Sequence, residues 1–143
     1  MEVEKFFGSG YTGTKRFSQQ DVLTANATGF GAAADDYMER GIDLNEQLIR
    51  NKPASFFMKV TGASMVNAGI FDGDIVIVDR SIKPKNSHIV IAVIDGEMLI
   101  RRLEMTMNKL RLIPETPKLA IIEITEFCDF KIWGVVSCVI RKL

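Results

Sequence analysis

The dipeptide Asp95-Gly96 lies between two apolar runs, His88–Ile94 and Glu97–Leu103. Asp and Gly both tolerate positive φ, so the pair suits the two-residue type I′ turn that joins antiparallel strands. Once that hairpin is set, side chains on either side must alternate between two faces. Five further runs have the same texture: Ser55–Val60, Ile75–Asp79, Leu110–Pro114, Ala120–Thr125 and Phe130–Ile140. Each is rich in β-branched, aliphatic or aromatic residues at strand length. Met107-Asn108-Lys109 marks a second turn. Strands in this number, with tight turns, predict a mainly β fold built on a bent, partly closed β-sheet. One short amphipathic helix is expected over Ile42–Arg50, with Asp43 as N-cap, Glu46 three residues on, and Leu44, Leu48 and Ile49 as its apolar stripe. Pro53 should end it.

Residues 1–34 have a different character. Gly8, Gly10, Gly13, Gly29 and Gly31 interrupt every apolar pattern there. The remaining hydrophobes suffice to dock on a surface, so this stretch is expected to be an extended, flexible arm in front of a domain covering 35–143. It is too short and glycine-rich for a helix-turn-helix module. The chain's 143 residues suit one domain, and its net charge is zero. The basic residues come in pairs (Lys15-Arg16, Arg101-Arg102, Arg141-Lys142) rather than a stripe, which argues against direct binding of duplex DNA. No apolar stretch reaches the ~18 residues of a membrane span, and the acidic start is unlike a secretory signal. Cys128, Cys138 and His88 lack metal-site spacing, so no metal or other cofactor is expected. The cysteines read as reduced and buried, in a cytoplasmic protein.

Two places carry candidate chemistry. In Thr61-Gly62-Ala63-Ser64-Met65, Gly62 and the small Ala63 let the backbone turn sharply after a strand and present Ser64. That serine is either a nucleophile or an ordinary turn residue, since Ser favours turns for its local hydrogen bonds. In the return strand of the hairpin, Arg101 shares a face with Leu99 and Leu103, and Arg102 with Met98 and Ile100. One arginine must therefore lie along apolar surface. It either extends its head to water or pairs with an acid such as Asp72, Asp74 or Asp95.

Taken together, Gly29-Phe30, Ala34-Asp35-Asp36-Tyr37, Ile42-Asp43-Leu44-Asn45, Gly62-Ala63-Ser64-Met65, Gly69-Ile70-Phe71-Asp72-Gly73-Asp74, Ile77-Val78-Asp79, Ile94-Asp95-Gly96-Glu97 and Phe130-Lys131-Ile132-Trp133-Gly134-Val135-Val136 closely resemble the UmuD proteins. These are relatives of the LexA repressor that lack its DNA-binding domain. The resemblance runs from about Gly29 to the C-terminus and is weak over the arm. It implies the bent β-sheet fold shared by LexA and signal peptidases, and a self-cleaving serine peptidase of the Ser–Lys type. It implies a homodimer that the RecA filament on single-stranded DNA induces to cut its own arm, and that then joins a Y-family translesion polymerase, UmuC, in the SOS response. Ser64 falls on the nucleophile, the backbone N–H groups of Ala63 and Ser64 on candidate oxyanion donors, and Thr28-Gly29 on the scissile bond.

Arg101 falls where the family carries its general-base lysine. A lysine becomes a base when a dry pocket lowers its pKa. A guanidinium, with a pKa above ~12, is effectively never deprotonated in a protein. Loss of the base alone would slow cleavage by roughly 10²–10⁴. Thr28 also departs from the usual Ala or Cys, and Gly31 and Ala33 stand where prolines are expected. Two functions follow: a slow self-peptidase with an unusual base arrangement, or a pseudo-peptidase acting only as a dimeric polymerase-binding subunit.

Overall fold

The computed structural model describes residues 2–7, with the side chains of the first three of these, and residues 41–143. Most of the expected arm, including Thr28 and Gly29, lies outside the described residues. Residues 2–7 form one compact unit with 51–143, whereas 41–50 belong to a second unit.

The second unit's described part is the short helix α1, Leu44–Leu48. Asp43 caps it by accepting from Asn45 N at 3.0 Å, as the sequence leads one to expect. It is shorter than the Ile42–Arg50 pattern, because Ile49 already has extended backbone. Pro53 falls in a separate 3₁₀ turn, Lys52–Ala54, near whose start the missing N–H is harmless.

The first unit is a single sheet of eight strands: β1 Val3–Phe7, β2 Ser55–Val60, β3 Ile75–Asp79, β4 Ile89–Ile94, β5 Glu97–Met105, β6 Leu110–Ile113, β7 Ile122–Glu123 and β8 Phe130–Ile140. Their order across the sheet is β1-β2-β3-β8-β4-β5-β6-β7, and the sheet curls into a half-barrel. Asp95 and Gly96 have φ of 48° and 84°, and Ile94 pairs with Glu97 across them. Both turn residues thus take the positive φ that a type I′ hairpin requires. The second turn closes where Thr106 N donates to Lys109 O at 2.9 Å.

Alternation sorts the buried side chains onto two faces. Met58, Val60, Val76, Val78, Ile91 and Ile100 line one core cluster. Val90, Ala92, Leu103, Leu112 and Val135 line another. The longest strand, β8, shifts register against β3 between Ile77 and Val78 and against β4 between Ile91 and Ala92. Such bulges bend a strand and increase its local twist, which helps the sheet curl. Trp133 is engaged within the chain: its ring meets Phe56 edge-on at 4.7 Å, and the Arg80 guanidinium lies 4.4 Å above it.

β1 has no counterpart among the expected runs. It pairs antiparallel with β2 in the register Val3↔Val60 and Glu4↔Lys59. Val3 is fully buried in the first cluster. Five residues with one clear alternation are too short a pattern to announce a strand, and only the waiting edge of β2 makes them one. Curling brings the start of this strand to β5, five places away in the sheet order: Glu2 N donates to Met98 O at 3.2 Å, and Thr61 N donates to Glu2 O at 2.6 Å.

Candidate functional site

The turn after β2 is rigid for identifiable reasons. Gly62 has φ +90°, a conformation costly for any residue with a Cβ, and its N–H donates to Asp72 Oδ1 at 2.8 Å. Met65 and Ile70 are buried in the first core cluster, each contributing roughly 1.5–3 kcal/mol by burial. The segment after β6 clamps the turn from outside, since Glu115 N donates to Ser64 O at 2.8 Å and Asn67 N to Glu115 O at 2.9 Å. The Glu115 side chain accepts from Arg102 Nε at 2.5 Å, tying this clamp to β5. Ser64 is thereby held in place with only 2% of its surface exposed, while Ala63 beside it is exposed.

Arg101 comes from the middle of β5 and is 5% exposed. Its Nη1 donates to Ile100 O at 2.8 Å and to Glu2 Oε2 at 2.5 Å. Ser64 Oγ donates to the same Glu2 oxygen at 3.3 Å. Ile100 N donates to it as well, at 3.2 Å. Ser64 and Arg101 therefore meet at one carboxylate oxygen, with Glu2 between them. Among the described residues, Arg101 Nε is the one buried side-chain polar atom without a hydrogen-bond partner.

The arrangement decides between the expectations for Arg101. It is a buried, ion-paired arginine, and its acid is Glu2 rather than Asp72, Asp74 or Asp95. Those three are committed elsewhere: Asp72 to Gly62 N, Asp95 to Asp129 N, and Asp74 to Arg141, whose Nη2 lies 2.7 Å from Asp74 Oδ2. Arg141 and the Phe71 N–H hold the Asp74 carboxyl below its usual range, against the opposing effect of burial. Glu2 had no signal in the sequence, since it precedes a stretch with no long periodic pattern and lies 99 residues from Arg101. Glu115 was equally silent, because it acts on Ser64 through its main chain.

The remaining residues singled out by chemistry stay apart from this cluster. His88 Nδ1 accepts from Lys85 N at 3.1 Å in a surface turn. Cys128 and Cys138 are free and half-buried, less enclosed than the sequence reading expects. Among the described residues there is no grouping of His, Cys, Asp and Glu that could hold a metal ion, and no helix is long and apolar enough to cross a membrane.

Comparison with known proteins gives the site its context. Residues 21–137 match the Peptidase S24-like family. Protein ImpA of Salmonella typhimurium is 38% identical over 115 residues, covering 80% of this chain and 77% of that protein. Protein SamA of Salmonella typhimurium strain LT2 is 38% identical over 114 residues, covering 80% and 79%. LexA repressor 1 of Xanthomonas campestris pv. campestris is 38% identical over 121 residues, covering 85% of this chain but 60% of the repressor. The matched residues include both Ser64 and Arg101. The chain thus belongs to the Peptidase S24-like family, as one of its UmuD-like members related to LexA.

Proposed function

We propose that this chain is a UmuD-like SOS-response protein whose Ser64 attacks the Thr28–Gly29 bond of an N-terminal arm, slowly, and whose dimer serves a Y-family translesion polymerase of the UmuC type. The observation that carries this reading is the convergence of Ser64 Oγ and Arg101 Nη1 on one point, Glu2 Oε2, at 3.3 and 2.5 Å. The resemblance to the UmuD proteins implies the nucleophile at the first of these positions and the base at the second. The backbone N–H groups of Ala63 and Ser64 are the candidate oxyanion donors. The RecA filament on single-stranded DNA is the inducing partner.

A second reading, the pseudo-peptidase that acts only as a dimeric polymerase-binding subunit, is favoured by the Arg101–Glu2 ion pair. A guanidinium locked to a carboxylate cannot accept the serine proton. Intact mass spectrometry of wild type and Ser64→Ala, incubated at alkaline pH with and without RecA filament, separates the two. Slow loss of a fragment ending at Thr28, abolished in Ser64→Ala, supports the peptidase. Efficient wild-type cleavage dependent on Ser64 would sink the accessory-only reading. No detectable product under any condition would favour it. Cleavage that persists in Ser64→Ala would remove the serine from its role. For the dimer, the free apolar surface of the last strand includes Val139, which is 41% exposed. Sedimentation at micromolar concentration should give a dimer, and a monomer there counts against it.

A further inference from the structure

Three donors from one strand and a turn converge on one oxygen: Ser64 Oγ at 3.3 Å, Ile100 N at 3.2 Å and Arg101 Nη1 at 2.5 Å from Glu2 Oε2. None is a sequence neighbour of Glu2; the separations are 62, 98 and 99 residues. Such a set of donors fits an anion, and its planar, charged member suits a carboxylate in particular. Arg101 Nε, on the same guanidinium, is a further buried donor with no hydrogen-bond partner. The ligand arrives on a built-in carrier. β1 adds to the free edge of β2, and the Glu2 main chain bridges Thr61 on one side and Met98 on the other.

We propose that Ser64, Ile100 N–H and Arg101 form a carboxylate-binding pocket, and that the Glu2 side chain is its resident ligand, so that β1 works as a latch holding an acidic group in the cleft. A lysine ammonium would offer a compact point charge there, whereas arginine keeps its charge and its fork whatever the burial. On this reading Arg101 changes what the cleft recognises: a neutral peptide bond must displace an ion-paired carboxylate before it can reach Ser64. The pocket itself stands on the geometry of Glu2 alone. Only that consequence for cleavage rests on the function proposed above.

Backbone amide exchange on the full chain tests the pocket without requiring any catalysis. Glu2→Gln keeps the shape of the side chain and removes its charge. It should speed exchange at Thr61 and Ile100 by about tenfold or more through local opening, while the β2–β3 ladder keeps wild-type protection. Arg101→Met should give the same local pattern, and Arg101→Lys should retain part of the protection because it keeps the charge. Unchanged exchange at Thr61 and Ile100 in Glu2→Gln would overturn the proposal, since a neutral amide would then hold the latch as well as a carboxylate. A rise spread evenly over all strands would also overturn it, by making Glu2 a general stabiliser. Should Arg101→Met fail to fold, Glu2→Gln alone decides the matter. None of these outcomes depends on whether Thr28–Gly29 is ever cut.

Discussion

Replacing Arg101 with lysine puts an amine where the resemblance to the UmuD proteins implies a general base, but the ion pair with Glu2 argues that this single change should not suffice. The site is 5% exposed, and full burial lowers a lysine pKa by up to ~3–5 units from about 10.4. The Glu2 carboxylate works in the opposite direction. An opposite charge within hydrogen-bond reach favours the ammonium by about 1–3 units, and Glu2 Oε2 stands 2.5 Å from the present Arg101 Nη1. With Glu2 intact, the new lysine stays largely protonated near pH 8 and cannot relieve Ser64 of its proton. Adding Glu2→Gln removes that charge. Each unit by which the lysine pKa then falls raises the neutral fraction about tenfold until the pKa reaches the working pH. The double variant should therefore cleave its arm roughly 10–10³ times faster than Arg101→Lys alone, within the ceiling of about 10²–10⁴ for general-base help. Single-turnover time courses read by intact mass, repeated across pH, measure this. The pH–rate profile of the double variant should rise at lower pH than that of Arg101→Lys, a shift that mere opening of the cleft would not produce. Equal rates and coincident profiles for the two variants would refute the reasoning, because residue 101 would then not feel the charge of Glu2. Rates no faster than Ser64→Ala in both would show that residue 101 is not the base position.

Two further perturbations test the frame around the site. The Asp74 carboxyl is held below its usual value of 3.8 chiefly by the Arg141 hydrogen bonds, so its contribution to stability is complete above that value and disappears as the pH falls through the lower folded-state value. Asp74→Asn should lower the urea midpoint at neutral pH, and the gap from wild type should close on acidification below about pH 4. A gap independent of pH would refute the assignment. At Gly134 a Cβ would meet Val78 Cγ1 at 2.6 Å and Arg80 Cγ at 3.3 Å. Gly134→Ala should therefore cost about 1–3 kcal/mol by overpacking, seen as a lower urea midpoint with an unchanged slope. A neutral effect would mean that β3 and β8 can separate locally.

Much of the domain was legible in the chain. Ser55–Val60, Ile75–Asp79 and Phe130–Ile140 fall on the strands residue for residue, because a strand in a two-faced sheet needs a dense apolar run and little else does. Asp95-Gly96 set the hairpin by φ alone, and with it the faces of Arg101 and Arg102. The ends of the shorter strands were less clear: Ala120–Thr125 contracts to Ile122–Glu123, since edge pairing rather than composition decides where a ladder stops. The short reach of α1 was hidden for a similar reason, as backbone extension at Ile49 is not written in the apolar stripe.

The sequence by itself determined that Ser64 would stand on a turn shaped by Gly62 and Ala63, and that an arginine from the following hairpin would be forced against apolar surface. Those are local facts of φ and alternation. What Arg101 does with its charge was decided only by tertiary structure. The curl of the sheet carries β5 to the start of β1, and there Glu2, with no pattern of its own, becomes the carboxylate between Ser64 and Arg101. A burial requirement can be read from neighbours in the chain, but an ion pair across 99 residues exists only once the sheet has closed the distance.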